Sequence, residues 1–270
     1  MYLKGYAVCK LDRSDSMRNY AIGEEYKYDG RTVTKGTQKK YYRNGYFYKV
    51  NSVGNEGITE YIVYSVLKNS SLSRNMIVPY EYCRINGKLG CRSKSFLVGG
   101  RQFVTMSTLH ERVYGTDDIS DRLMRIGNAK SRLEYLLNIA EMAGIPREQF
   151  RAYLNVLLSI DLLIENVDRH AHNYGVVYDS ISKRYSIAPV FDNGYALCTA
   201  RNGNKTACTI SGSFEEQVVA FGYPINPVFR INYTAAYREL NRIEKEYGRR
   251  IEIETMRKRL EDYKGIFKSR

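Results

Sequence analysis

No apolar run in this chain is long enough to cross a bilayer; the longest, such as Val156 to Ile164, are short and interrupted. The start, Met1-Tyr2-Leu3-Lys4-Gly5, lacks a charged region followed by an apolar core. No signal peptide is therefore expected, and a cytoplasmic address follows. There is no internal repeat, no low-complexity tract and no segment whose composition implies disorder. Histidine is scarce, at three residues (His110, His170, His172), and none is spaced with cysteines as a structural metal site would need. The five cysteines, Cys9, Cys83, Cys91, Cys198 and Cys208, are odd in number and match no zinc or redox motif, so they read as reduced thiols. Acidic side chains are in deficit, 29 against 42 Lys plus Arg, which gives a net charge of +13 and implies an acidic or phosphate-bearing partner. The charge is dispersed, apart from Lys35, Lys39, Lys40 and Arg43 and a C-terminal run from Arg249 to Arg259 that Glu252, Glu254 and Glu261 dilute. With no helix-turn-helix pattern, direct nucleic-acid binding is not expected.

What is present is a globular composition, 43% hydrophobic and 26% charged, over 270 residues. That length suits one large domain or two lobes around a cleft. The first hundred residues read as strands and turns. Tyr41 to Val50 is broken by Asn44-Gly45, a hairpin signal. Val78 to Ile85 reads as a strand followed by an Asn86-Gly87 turn, and short apolar runs flank Gly99-Gly100. One helix is expected between them, about Glu56 to Lys68. Beyond residue 107 the pattern turns helical: Arg122 to Ala143, then Arg147 to Ile164 headed by Pro146. A hairpin follows over Tyr174 to Tyr178 and Tyr185 to Ala188, and helices return from about Ser213 and dominate from Tyr233. The expected fold is α+β and bilobal, with residues 1–106 as a β-rich N-terminal lobe carrying one helix and 107–270 as a mostly helical lobe.

The chemistry concentrates in one segment, Asp168-Arg169-His170-Ala171-His172-Asn173, followed by Ala188-Pro189-Val190-Phe191-Asp192. Phosphoryl transfer needs a carboxylate near the attacking hydroxyl and hard oxygen ligands for magnesium. An Asp and an Asn five residues apart on one loop can serve both purposes, and a second Asp after a hairpin can reach the same metal. Asp168, Asn173 and Asp192 have that order. A cation for the ATP phosphates is expected from Lys49, at the end of Tyr46-Phe47-Tyr48-Lys49-Val50, held by a helix glutamate. Glu60 is the preferred partner and Glu56, one turn earlier, the competitor.

Together these motifs resemble the HipA-type serine/threonine protein kinases of bacteria, in the compact CtkA-like form. The resemblance covers roughly Thr34 to Asn193 and implies a protein-kinase-like fold. It implies Asp168 as catalytic base, with Arg169 and His170 among the catalytic residues and His170 ordering the loop by hydrogen bonding, and Asn173 and Asp192 as magnesium ligands. Thr34-Lys35-Gly36-Thr37-Gln38-Lys39-Lys40 resembles the family's phosphate loop, with Gly36, Gln38 and Lys40 matching and Thr37 among the nucleotide contacts. Thr34 and Thr37 are candidate autophosphorylation sites. The hinge between lobes is expected near Thr105 to Leu109, with Met106 contacting the nucleotide. The expected cofactors are ATP and magnesium, the expected partner a protein with a Ser or Thr acceptor, and an antitoxin-type partner belongs to the same resemblance. The chain has no Gly-x-Gly-x-x-Gly, His-Arg-Asp or Ala-Pro-Glu, so it is not an ordinary eukaryotic-type kinase. Two alternatives stand beside this reading. One is a phosphoinositide-type lipid or small-molecule kinase, since phosphoinositide kinases share Asp-Arg-His-x-x-Asn. The other is a nucleotide-binding pseudokinase or toxin acting by binding.

Overall fold

The computed structural model describes residues 17–28, 38–52, 54–115, 118–166, 168–197 and 229–267. Five strands form the first sheet: β1 (Asn19–Tyr20), β2 (Lys40–Arg43), β3 (Tyr46–Val50), β4 (Tyr80–Ile85) and β5 (Lys88–Lys94). Their spatial order is β1-β4-β5-β3-β2, all antiparallel except the short β1–β4 pair. Both expected hairpin turns form. Asn44 and Gly45 have φ of 50° and 77°, and Asn86 and Gly87 have 50° and 78°. Two successive residues in the left-handed region match the twist of the flanking strands, which is why Asn-Gly closes them.

Helix α1 (Glu56–Leu67) lies across this sheet. It buries Ile58, Ile62, Val63, Val66 and Leu67. Its first turn touches the sheet backbone, because a Cβ on Gly57 would stand 2.6 Å from the carbonyl carbon of Gly90 in β5. This contact sets how deep the helix sits, and so where Glu60, three residues on, points. Gly57→Ala is expected to destabilise the protein by about 1–3 kcal/mol in urea denaturation, because overpacking outweighs the roughly 1 kcal/mol gain in helix propensity. Stability equal to or above the parent's would show that the helix shifts freely.

A second sheet joins β6 (Arg101–Thr105), β7 (Gly175–Asp179) and β8 (Arg184–Ile187) in the order β6-β7-β8. Around it pack α2 (Met106–Tyr114), α3 (Ile119–Arg125), α4 (Ala129–Met142), α5 (Arg147–Ile164), α6 (Tyr233–Tyr247) and α7 (Ile251–Asp262). The continuous core runs from α1 through α5 to α7. The last two helices reach back to the first lobe. Lys68 meets Glu239 at 3.0 Å, Arg242 donates to the Tyr61 hydroxyl at 2.7 Å, and the Tyr247 ring meets Tyr82 edge-on at 5.2 Å. No helix among the described residues is long and apolar enough to cross a membrane.

One expected helix is corrected, and the segments expected at the lobe junction take definite structure. The single helix over 122–143 is two helices. The chain breaks at Ile126-Gly127-Asn128, and the Asn128 side chain accepts the Ser131 N–H at 2.9 Å to start α4 afresh. The stretch 105–109, expected as the hinge, opens α2: Thr105 caps the helix by accepting the Thr108 N–H at 3.0 Å, and Met106 and Leu109 are buried. The chain passes from one sheet to the other at Ser95–Gly100, upstream of residue 106, where Gly99 and Gly100 take φ of 60° and 81°. Part of the helical region expected from Ser213 lies outside the described residues.

Candidate active site

The site is assembled on the end of α5. The helix runs Leu157-Leu158-Ser159-Ile160-Asp161-Leu162-Leu163-Ile164, and only Asp161 carries charge in that apolar face. It ends when Glu165 enters the left-handed region at φ 53°. Asn166, fully buried, donates to Asp161 at 3.0 Å and accepts the Asp168 N–H at 3.1 Å. The loop then turns on itself, with the Asn173 amide donating to the Asp168 carbonyl at 2.8 Å.

Arg169 is the tie. Its guanidinium is wholly shielded from solvent and meets Asp161 through Nε and Nη2, at 3.0–3.2 Å. Its Nη1 donates to the carbonyls of Asn173 (3.2 Å) and Phe191 (2.7 Å), and Nη2 to the Asn193 side chain (2.7 Å). One side chain thus joins the loop after α5 to the loop after β8. Arg169, expected among the catalytic groups, is completely buried and ties the two loops together. A planar donor fork can satisfy several acceptors at once, which lysine could not do.

On the other side of the cleft, Lys49 projects from β3. Its Nζ lies 3.3 Å from Glu60 and 2.7 Å from Asp192. Glu60 also accepts the Asn193 N–H at 3.0 Å, so α1 is tethered to the Asp192 loop. Glu56 is engaged elsewhere, accepting from the Ser52 N–H and hydroxyl and the Gly54 N–H. Between Glu60 and Glu56, the geometry selects Glu60. Asp192 sits at φ 60°, unusual for a residue with a side chain, and its N–H donates to the Tyr80 hydroxyl at 3.3 Å.

The electrostatics separate the two aspartates. Burial pushes the Asp168 carboxyl up to about 6, and repulsion from Asp192 adds to it. Burial acts on Asp192 too, but the Lys49 ammonium, with Lys40, outweighs it and holds Asp192 well below the usual carboxylate range. Burial likewise lowers Lys40, which stands directly across the ladder from Lys49 and is repelled by it. His170, 3.7 Å from Asp168, is lowered by burial and by His172, so it stands beside the carboxylate as a neutral ring at neutral pH.

A cleft with an enclosed volume of about 80 Å³ opens beside Lys49 and Asp192. Lys40 and Lys49 stand on its wall, and Phe47, Phe96, Leu97 and Phe103 make it apolar. Phe191 closes it, with its ring 5.1 Å from that of Phe103. Met106 is not in it. Met106, expected to contact the nucleotide, is fully buried in the core, and its N–H bonds to the Tyr174 carbonyl. Gln38 is half-buried and does not line the cleft. Gly36 and Thr37, with Thr34, lie outside the described residues.

Sequence reasoning missed Asp161, Asn166, Asn193 and Tyr80. A lone carboxylate in the apolar face of α5 was the available signal for Asp161, because a buried charge requires a partner. Nothing in the sequence marked Tyr80, whose role arises from a contact across 112 residues.

No family model matches the sequence, and no curated protein sequence matches it. Among solved structures, the chain is similar to the crystal structure of the Helicobacter pylori proinflammatory kinase CtkA. The two superpose with a TM-score of 0.55 at 18% identity, over 87% of this chain and 92% of that one. At that identity the likeness establishes the fold: a mixed α+β, kinase-like architecture with a sheet-based N-terminal lobe and a helical remainder.

Proposed function

We propose that this chain is an ATP- and magnesium-dependent phosphotransferase, a HipA-like serine/threonine protein kinase of the compact CtkA-like form, with Asp168 as the catalytic base. The observation that carries the reading is Lys49 held between Glu60 and Asp192, with the Asp168 loop bound to the Asp192 loop through Arg169.

Asn173 and Asp192 would hold magnesium, and their chemistry fits. Both offer hard oxygen, and the Asn173 amide nitrogen is committed to the Asp168 carbonyl, which leaves its oxygen end for a cation. A single guanidinium fixes the backbone of Asn173 and of Phe191, the neighbour of Asp192, so the two ligands keep a set spacing. Bound magnesium supplies charge neutralisation on the phosphates. Lys49 and Lys40 hold phosphate oxygens from the cleft wall. Asp168, ionised at neutral pH yet basic enough to accept a proton, takes the proton of the acceptor hydroxyl as that oxygen bonds to the γ-phosphorus and ADP leaves.

Purified protein incubated with labelled ATP, magnesium and a basic protein acceptor is expected to transfer label. Lys49→Met and Asp192→Ala are each expected to reduce the rate by about 10³-fold, the order of a lost electrostatic contact to the transferring group. A parent that binds ATP but transfers nothing would point to the pseudokinase. Transfer to inositol lipid alone would point to a lipid kinase, and failure to bind ATP would overturn the reading.

A further inference from the structure

A second groove adjoins the cleft, with Ser95 and Phe96 of the linker between the sheets on its wall. It is lined by the 74–79 segment, the end of β5, the start of β6 and the edge strand β8. Among the described residues three cations stand on it, Arg74, Lys94 and Arg101, and no carboxylate does. All three are exposed. Among the described residues neither Arg74 nor Lys94 has an ion-pair partner, and Arg101 has only a long, exposed contact of 3.4 Å to Asp179. Asp179 is itself occupied by the N–H groups of Ile181 and Ser182. The floor is apolar, built by Ile77, Phe96 and Ile187.

The strand facing this groove is paired on one side only. In the order β6-β7-β8, no strand among the described residues pairs with the outer edge of β8, and the next bridge, Ile77 to Val190, lies beyond its end. Such an edge offers main-chain donors and acceptors to an extended chain. Alternate residues of an added strand point to opposite sides. One set can cover the apolar floor while the other meets the basic rim.

We propose that this groove docks an extended, acidic segment of a partner protein, laid along β8 with its carboxylates on Arg74, Lys94 and Arg101. The surplus of cations over carboxylates at the rim selects the sign of the partner, and the free strand edge selects a peptide over a nucleic acid. The groove shares Val78, Lys94 and Phe96 with the cleft, so the partner sits against a wall shared with the cleft. The inference is independent of whether the chain transfers phosphate.

The test is fluorescence anisotropy on the full chain with a labelled peptide of four Glu-Val repeats, beside four Lys-Val repeats and a single-stranded oligothymidylate of matched charge. The acidic peptide is expected to bind and the basic one not. The Arg74→Glu/Lys94→Glu/Arg101→Glu variant is expected to lose at least about tenfold in affinity. The equally charged Arg125→Glu/Lys130→Glu/Lys258→Glu variant, whose sites are exposed and lie outside the groove, is expected to bind like the parent. Should the triple reversal fail to fold by circular dichroism, Arg74→Gln/Lys94→Gln provides the same comparison with a smaller expected loss. Equal loss in both triple variants would show diffuse attraction and overturn the proposal. So would parent-like binding by the groove variants, no binding by the parent, or equally tight binding of the oligonucleotide.

Discussion

Asp168→Asn is expected to abolish phosphoryl transfer and at the same time to make the protein more stable. The loss in rate is about 10²–10⁴-fold, the range of a general base removed from its position. The gain in stability follows from the environment of the carboxyl, raised to about 6 by burial and by Asp192. The folded value lies above the unfolded value of roughly 3.9, so the folded state holds this proton more tightly. The penalty for an ionised Asp168 is therefore fully present above the folded value and vanishes below the unfolded one. Two pH units correspond to roughly 3 kcal/mol at face value. Partial solvent screening of this half-buried group reduces that to about 1–2 kcal/mol. In chelator without nucleotide, the variant is expected to melt about 2–8 °C above the parent at pH 8, with the difference gone near pH 4. Identical melting at pH 8 would show that the carboxylate is better solvated than its place in the fold implies.

The second large effect concerns Arg169 and Asp161. Both side chains are almost completely shielded, so removing one partner strands the charge of the other. Arg169→Met is expected to cost about 3–5 kcal/mol in urea denaturation, and Asp161→Leu a similar amount. The double variant Arg169→Met/Asp161→Leu removes both charges and is expected to recover part of that loss. It is not expected to recover transfer, because the carbonyls of Asn173 and Phe191 and the amide of Asn193 still lack their donor. A double variant with parent-like transfer would show that the two loops keep their spacing without the guanidinium.

The two roles differ in how they could be read. Asp168, Asn173 and Asp192 form an ordered set of residue types whose spacing is short on one loop, and short-range order is visible in a sequence. Lys49 was legible for a related reason: a lone cation ending an aromatic strand, just ahead of a helix carrying a carboxylate. Arg169 was legible as a neighbour of Asp168 but not as a buried tie, since burial depends on Asp161 in the last turn of α5 and on Asn193 beyond the hairpin. The place of Met106 was not legible, because an apolar residue after a strand is equally compatible with a cleft wall and with the first turn of a helix. The Thr105 cap decides between them.

The sequence by itself determined the elements: the Asn-Gly hairpins, α1, α5 and the β7–β8 hairpin follow from local periodicity and turn chemistry, which act over a few residues. It also determined which residue types stand on the two loops of the site. Only the tertiary structure decided which loops face one another. The crossover at Ser95–Gly100, the choice of Glu60 over Glu56, the hold of Tyr80 on Asp192, and the return of α6 to Tyr61 and Lys68 all arise from contacts between distant segments. Such contacts form where a common core is buried and buried polar groups find partners. That condition belongs to the packed molecule and has no period along the chain.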